Sequence, residues 1–302
     1  MGRAMFTGRF FGGAQALAPI DPLVLAQSRT TFSLLLLAPI LFFWNRDALR
    51  MRARHLAQFF LLGILGLAAS NYFYYLAIQK TSVATAIVLQ YVAPVWVLVY
   101  MLVRRLQRPT VLRVSGVMLA VLGCALAVGE IAGRVAFPWF HVSGLRVNPV
   151  GLAAAELAAV SFAFYNVYGQ HLLNVYHRWT VLVYSLFGAA VFWQVINPPW
   201  KIVAQHYSSG QWLFMLLFSI TSMLVPFSLY FAGLQYLDAT RAIVTACLEP
   251  VWAILLTALI LGELIAPMQV FGIAIVLTAT VLVQLPDRKA AGEPTIAVEP
   301  IE

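Results

Sequence analysis

The chain has 302 residues, 62% of them hydrophobic and only 10% charged, with a formal net charge of +8. A soluble domain averages about 25% charged residues, and its one or two cores do not call for nine or ten separate apolar runs, each of about 20 residues and long enough to cross a bilayer core of about 30 Å. A soluble fold is therefore excluded, and the positive charge needs no nucleic-acid partner, because Arg and Lys gather in the short loops between runs, where orientation signals belong.

The first predicted segment, about 1–17, is short; with Arg3 and Arg9 it lacks the clean apolar core of a cleavable signal peptide. The second spans about 22–44 and leads into a basic loop with Arg46, Arg50, Arg52 and Arg54. The third covers about 57–79 and the fourth about 83–103, followed by Arg104, Arg105, Arg108 and Arg113. The fifth covers about 112–130. A connection at 131–149 carries Pro138, Trp139, Phe140 and Gly144. The sixth to tenth follow at about 150–172, 179–197, 211–235, 240–261 and 267–285, and the polar tail 286–302 is expected to be disordered and cytoplasmic.

With spans alternating, one side of the membrane holds twelve basic residues: Arg46, Arg50, Arg52, Arg54, Arg104, Arg105, Arg108, Arg113, Arg178, Arg241, Arg288 and Lys289. The other holds four, Lys80, Arg134, Arg146 and Lys201. The excess predicts that the first side, with both termini, faces the cytoplasm.

Two stretches repeat each other. Gln90 to Trp96 reads QYVAPVW and Cys247 to Trp252 reads CLEPVW, with Pro94 and Pro250 separated by 156 residues. The same ungapped offset pairs Ile64 with Ile220, Tyr74 with Tyr230, Gln79 with Gln235, Ala86-Ile87-Val88 with Ala242-Ile243-Val244, Val114 with Val270 and Gly116 with Gly272. One offset held over about four segments marks two copies of one unit. Five spans is an odd number, so the second copy enters from the opposite side. The expected fold is an all-α integral membrane protein, a ten-helix bundle of two inverted five-helix repeats, 1–130 and 150–285. Gly8-Arg9 corresponds to Gly169-Gln170, so the first helix lacks its opening half. It is short or truncated by a late start, the latter favoured because a half-span leaves backbone groups unsatisfied in lipid.

Polar groups at bilayer depth each need a reason, since a centred charge costs about 2.5–3.5 kcal/mol on insertion scales. Arg241, Thr245, Glu249 and Trp252 recur at helical spacing in one stripe, matched in the first copy by Thr85, Leu89, Ala93 and Trp96. Glu249 either binds a solute or proton or satisfies groups freed by the break at Pro250. Asn71, Tyr75 and Gln79 share a face; tyrosines and Trp96 beside a kinked helix suit a solute with an apolar body and a polar handle. Glu156 is a proton relay or an interfacial group, and Asn166 and Gln170 are cavity candidates. Arg29 packs against a partner or snorkels. Glu263 reads as interfacial, and Gly116 and Gly272 as close-packing positions. Catalytic motifs are sparse: no HExxH, P-loop, acidic DDxxD cluster or GxSxG occurs, the histidines sit in loops or span ends, and Cys124 and Cys247 lie inside apolar runs with neither a metal spacing nor a disulfide framework. No enzyme, cofactor or metal is expected. A membrane-embedded lipid-modifying enzyme would need an acid cluster or a His-carboxylate pair at one face.

The runs LAIQKTSVATAIVLQYVAPVW (Leu76 to Trp96) and LQYLDATRAIVTACLEPVWAILLTALILGE (Leu234 to Glu263), with Gly272 in the last helix, resemble the drug/metabolite transporter superfamily, specifically proteins of two EamA-type repeats. The resemblance implies a secondary carrier in an inner membrane, moving a small organic metabolite such as an amino acid outward by alternating access, or else a multidrug efflux carrier of the same fold. It implies a cavity lined by Arg9, Asn71, Tyr75, Gln90, Trp96, Asn166, Tyr230, Glu249 and Trp252, with helix breaks at Pro94 and Pro250. Its partners would be the solute, membrane lipid and protons as a coupling ion, with the chain a monomer or homodimer and no nucleic acid involved. Gln107 stands where Glu263 stands in the second copy, so the copies have diverged there.

Overall fold

The structure is a computed structural model that describes residues 20–81, 83–131, 148–262 and 264–285. The predicted first segment with Arg9, most of the central connection, Glu263 and the tail lie outside the described residues. Regular structure among the described residues is helical, and it forms nine spans, two of them broken helices, that are long and apolar enough to cross a bilayer. The protein is an all-α integral membrane protein.

In chain order the helices are α1 (Pro22–Trp44), α2 (Ala53–Lys80), the broken pair α3 (Val83–Gln90) and α4 (Ala93–Val103), α5 (Val111–Ile131) and α6 (Pro149–Leu173). There follow α7 (Arg178–Ile196), α8 (Ser209–Leu234), a second broken pair α9 (Ala239–Ala246) and α10 (Glu249–Leu261), and α11 (Pro267–Gln284). They coincide with the second to tenth predicted segments; α2 opens earlier than predicted because a 3-10 turn at Ala53–His55 leads into it.

Local chemistry sets the ends. The Asp21 carboxylate accepts from the Leu23 N–H at 2.8 Å, just ahead of Pro22 in the first turn of α1. Ser208 and Gln211 form a reciprocal capping box at α8, and Asp238 accepts from the Arg241 N–H at 2.9 Å to open α9. Each cap satisfies a backbone donor with no partner inside its helix, worth about 1 kcal/mol. Gly262, at φ 68°, takes the left-handed conformation that ends α10.

The chain divides into two compact units, Met1–Tyr75 with Leu172–Tyr236, and Leu76–His171 with Leu237–Glu302. Each takes helices from both sequence copies, so the compact bodies cut across the halves drawn from the sequence. The first unit holds α1, most of α2, α7 and α8. Within it, Gln27 of α1 meets Gln194 and Asn197 of α7 while Ala48, beyond the end of α1, meets Thr180. Rising numbers in α1 thus meet falling numbers in α7, so the two run antiparallel. The second unit holds α3 to α6 and α9 to α11. Gly116 faces Val283 and Gly123 faces Val276, so α5 and α11 are antiparallel too. The offset of 156 maps α1 onto α7 and α5 onto α11. Equivalent helices pointing opposite ways inside one compact unit are what an inverted repeat produces.

Two irregularities recur at the same offset. Leu62–Ala68 in α2 and Ile220–Leu224 in α8 are π-helical, and the breaks fall at Tyr91-Val92 and Cys247-Leu248. Such widened turns concentrate at functional sites in helices. In α8 the widened turn precedes Pro226, whose missing N–H cannot serve the Ser222 carbonyl.

Candidate functional site

In the second unit the broken helices follow from their prolines. Pro94 cannot donate to the Gln90 carbonyl, nor Pro250 to that of Ala246. The chain tightens instead: the Val92 N–H donates to Leu89 at 3.1 Å, and the Cys247 and Leu248 N–H groups donate to Val244 and Thr245 at 3.1 and 3.0 Å. The Cys124 thiol of α5 lies 3.7 Å from the Cys247 carbonyl at the break. Both prolines are buried. Ala93, Val97 and Met101 of α4, Ala159 and Ala163 of α6 and Ala239 and Ile243 of α9 form one apolar core, so the two broken helices pack in the same cluster. Leu98, Val244, Cys247 and Val251 join α5 and α11 in another.

Glu249 is the first residue of α10, about 15 Å along the helix from Ala239 at 1.5 Å per residue. That is about halfway along the Ala239–Ile260 span, and the positive end of the half-helix dipole favours a carboxylate there. The predicted stripe with Arg241 and Thr245 divides at the break. The Arg241 Nε donates to the Val283 carbonyl at 3.1 Å and lies 3.4 Å from the Asp238 carboxylate. Thr245 Oγ1 accepts from Gln284 at 3.1 Å. Both residues brace α9 to the end of α11.

Trp96 of α4 is 40% exposed and Trp252 of α10 is 62% exposed. The Trp96 indole N–H donates to the Glu156 carboxylate, which ties α4 to α6 and gives Glu156 a partner the sequence did not suggest. Asn166 is fully buried; its amide donates to the Phe162 carbonyl at 2.7 Å and its Oδ1 has no hydrogen-bond partner among the described residues. Gln90 is half-buried at the end of α3. Gln170, a cavity candidate from sequence, is a clamp: its Nε2 donates to the Leu237 carbonyl at 2.7 Å and its Oε1 accepts from the Ala239 N–H at 3.0 Å. Gln170→Ala leaves both backbone groups without that partner and is expected to destabilise the protein by about 1–3 kcal/mol, read as a lower Tm of the purified chain; an unchanged Tm refutes the clamp.

In the first unit, Asn71, Tyr75 and Tyr230 are half-buried. Asn71 donates to the Leu67 carbonyl, inside the π-helical stretch, at 2.7 Å. Its Oδ1 accepts from the Arg29 guanidinium at 2.7 Å. Tyr75 lies one turn beyond Asn71 on the same face, and Tyr230 packs edge-on against Phe231 with centroids 6.3 Å apart. Arg29, read from sequence as packed against a partner or snorkelling, has Asn71 as that partner, and what sequence reasoning missed is that this partner is neutral. The available signal was a cation seven residues into a span with no acid nearby in sequence.

Inverted copies, each interrupted at a proline in mid-span with polar groups beside the break, are the construction of secondary transporters. The chain belongs to the EamA-like transporter family, which matches residues 4–129 and 149–285. It is 26% identical over 284 residues to the threonine/homoserine exporter RhtA of Escherichia coli, covering 92% of this chain and 88% of that one. It is 24% identical over 234 residues to the uncharacterized inner membrane transporter YicL of Salmonella typhimurium, covering 76% and 74%. An uncharacterized transporter of Archaeoglobus fulgidus is 26% identical over 226 residues, covering 72% and 75%. A solved crystal structure, described only as that of a protein, superposes with a TM-score of 0.70 over 88% of both chains at 18% identity, which shows a shared fold.

Proposed function

We propose that this chain is an inner-membrane exporter of a small organic metabolite, an amino acid or a similar amphipathic solute, working by alternating access with both termini in the cytoplasm. The observation that carries this reading is Glu249 at the mid-span start of α10. A carboxylate there is costly unless it serves a charged or proton-exchanging partner. Membership of a transporter family and the likeness to a threonine/homoserine exporter agree with it. The exposed indoles of Trp96 and Trp252 suit the apolar body of such a solute.

The test compares the solutes that accumulate in the medium of cells expressing the chain with those from cells lacking it. The expected result is a raised external level of one or a few amino acids or related metabolites. Identical profiles remove the metabolite reading; raised tolerance to toxic cationic dyes without metabolite release favours a multidrug carrier instead.

A further inference from the structure

Arg29 is a charge inside a span of the first unit with no carboxylate partner among the described residues. It sits seven residues into α1, about 10 Å from the helix start at 1.5 Å per residue. Asn71 lies nine residues before the end of α2, a similar depth reached from the other helix. Arg29 is partly buried, one Nη2 donates to Asn71 Oδ1 at 2.7 Å, and its buried Nε has no hydrogen-bond partner among the described residues. A guanidinium presents five N–H donors in a planar fork, and a neutral amide oxygen does not balance its charge.

The unit supplies no acid for the purpose. Asp21 and Asp47 are the only carboxylate side chains in Met1–Tyr75 and Leu172–Tyr236. Asp21 caps Leu23, and Asp47 pairs with Arg50 at 3.0 Å. Nor does the fold need a cation at this place. The offset that lays α1 on α7 puts Ser185 at the position of Arg29, and this buried serine is satisfied by the Leu182 carbonyl at 2.9 Å. Phe227 stands at the position of Asn71. The inverted copy fills the same niche without charge, so packing does not account for Arg29.

We propose that Arg29 and Asn71 form a binding seat for the carboxylate of the transported solute. Asn71 is already oriented for it. Its NH2 is held by the Leu67 carbonyl of the π-helical turn, which aims Oδ1 at the Arg29 guanidinium. The remaining edge of the fork takes the two carboxylate oxygens in bidentate fashion. One guanidinium beside a neutral amide matches one negative charge, which favours a monocarboxylate over a phosphate dianion. Tyr75, one turn beyond, offers an aromatic wall for the apolar part of the solute. This assignment rests on the exporter reading and names the group of the solute that the protein holds.

The test uses the full chain in nanodiscs of zwitterionic lipid and follows thermal unfolding with L-threonine, L-leucine and butyrate, each against its carboxamide. At least one carboxylate is expected to raise Tm while its amide does not. Arg29→Gln is expected to weaken that response by about ten- to a hundredfold in concentration, the loss of a charge-assisted hydrogen bond. Asn71→Asp supplies a resident counter-ion; it is expected to raise Tm without added solute and to abolish the carboxylate response, which keeps the proposal testable even where Arg29→Gln folds poorly. Absence of a carboxylate-specific shift in the wild type, or its retention in either variant, overturns the proposal. So does a stabilisation by phosphatidylglycerol that depends on Arg29 with no added effect of any carboxylate, since the occupant is then a lipid phosphate. Failure of the exporter reading shows separately, as no solute release from cells; failure of this inference alone shows as release that persists unchanged in Arg29→Gln.

Discussion

Gly272→Leu is expected to abolish recovery of folded, monodisperse protein, while Gly233→Ala leaves Tm equal or slightly higher. A Cβ on Gly272 of α11 would lie 2.5 Å from the Ala127 backbone nitrogen and 2.8 Å from the Gly123 carbonyl oxygen of α5. A Cβ on Gly123 would in turn meet the Val276 nitrogen at 2.9 Å and the Gly272 oxygen at 3.0 Å. These neighbours are backbone atoms that cannot rotate aside, so the helices must separate. Separation opens the core of Val117, Ala120, Cys124, Val276 and Ala279, all at or near zero exposure. In lipid, helix association depends on such close approach, since hydrocarbon outside is as apolar as hydrocarbon inside. Overpacking of about 1–3 kcal/mol is the ordinary case, and a leucine against two backbones exceeds it. At Gly233 nothing lies within 4 Å of the added carbon, and alanine favours helix over glycine by about 0.8–1.0 kcal/mol. The measurement is size-exclusion and thermal unfolding of both variants in one detergent. A well-folded Gly272→Leu with wild-type Tm disproves the interlock.

Spans and breaks were legible because their signals are local. An apolar run of fixed length and a proline within it decide the outcome with little help from tertiary structure, and α1 falls on 22–44 as read. The repeat offset transferred even to the break positions. What the sequence did not reveal depends on partners far along the chain. Arg29 finds Asn71 42 residues away, and Trp96 finds Glu156 60 residues away. Hydropathy says nothing of which faces meet, so it could not sort α2 with α7 or α5 with α11. The π-helical turn in α2 shows as little, because widening the ladder by one residue leaves the apolar pattern of Leu62–Ala68 unchanged. The glycines inside that turn, Gly63 and Gly66, were an available hint, and Gly63 shows why. A Cβ there would strike the Ser185 carbonyl and approach the Ala189 nitrogen at 2.9 Å, so α2 and α7 touch through their backbones. The stripe at Glu249 was read on an ideal helix of 100° per residue; the turn at Cys247-Leu248 interrupts that phase and separates Arg241 from Glu249.

Glu249→Gln is expected to cut transport by about tenfold or more, the scale of losing one charged hydrogen-bonding partner, with membrane insertion and Tm unchanged. Glutamine keeps the size of the side chain and one carbonyl acceptor for the N–H groups that open α10, and removes only the charge and the exchangeable proton. The two roles open to Glu249 therefore separate. A group that merely satisfies the helix break loses dipole stabilisation of about 0.3–1 kcal/mol at most and shows it in Tm, not in flux. A group that binds the ammonium of a solute, or carries a coupling proton, leaves Tm alone and loses flux, and in the second case the dependence of flux on external pH disappears with it. Pro250→Ala sharpens the distinction by restoring an N–H toward the Ala246 carbonyl. Combined with Glu249→Gln it recovers stability lost to an unsatisfied break but cannot restore a missing charge. Unchanged flux and pH response of Glu249→Gln in proteoliposomes would remove Glu249 from the mechanism. The family fold would then stand with its solute held by groups other than Glu249.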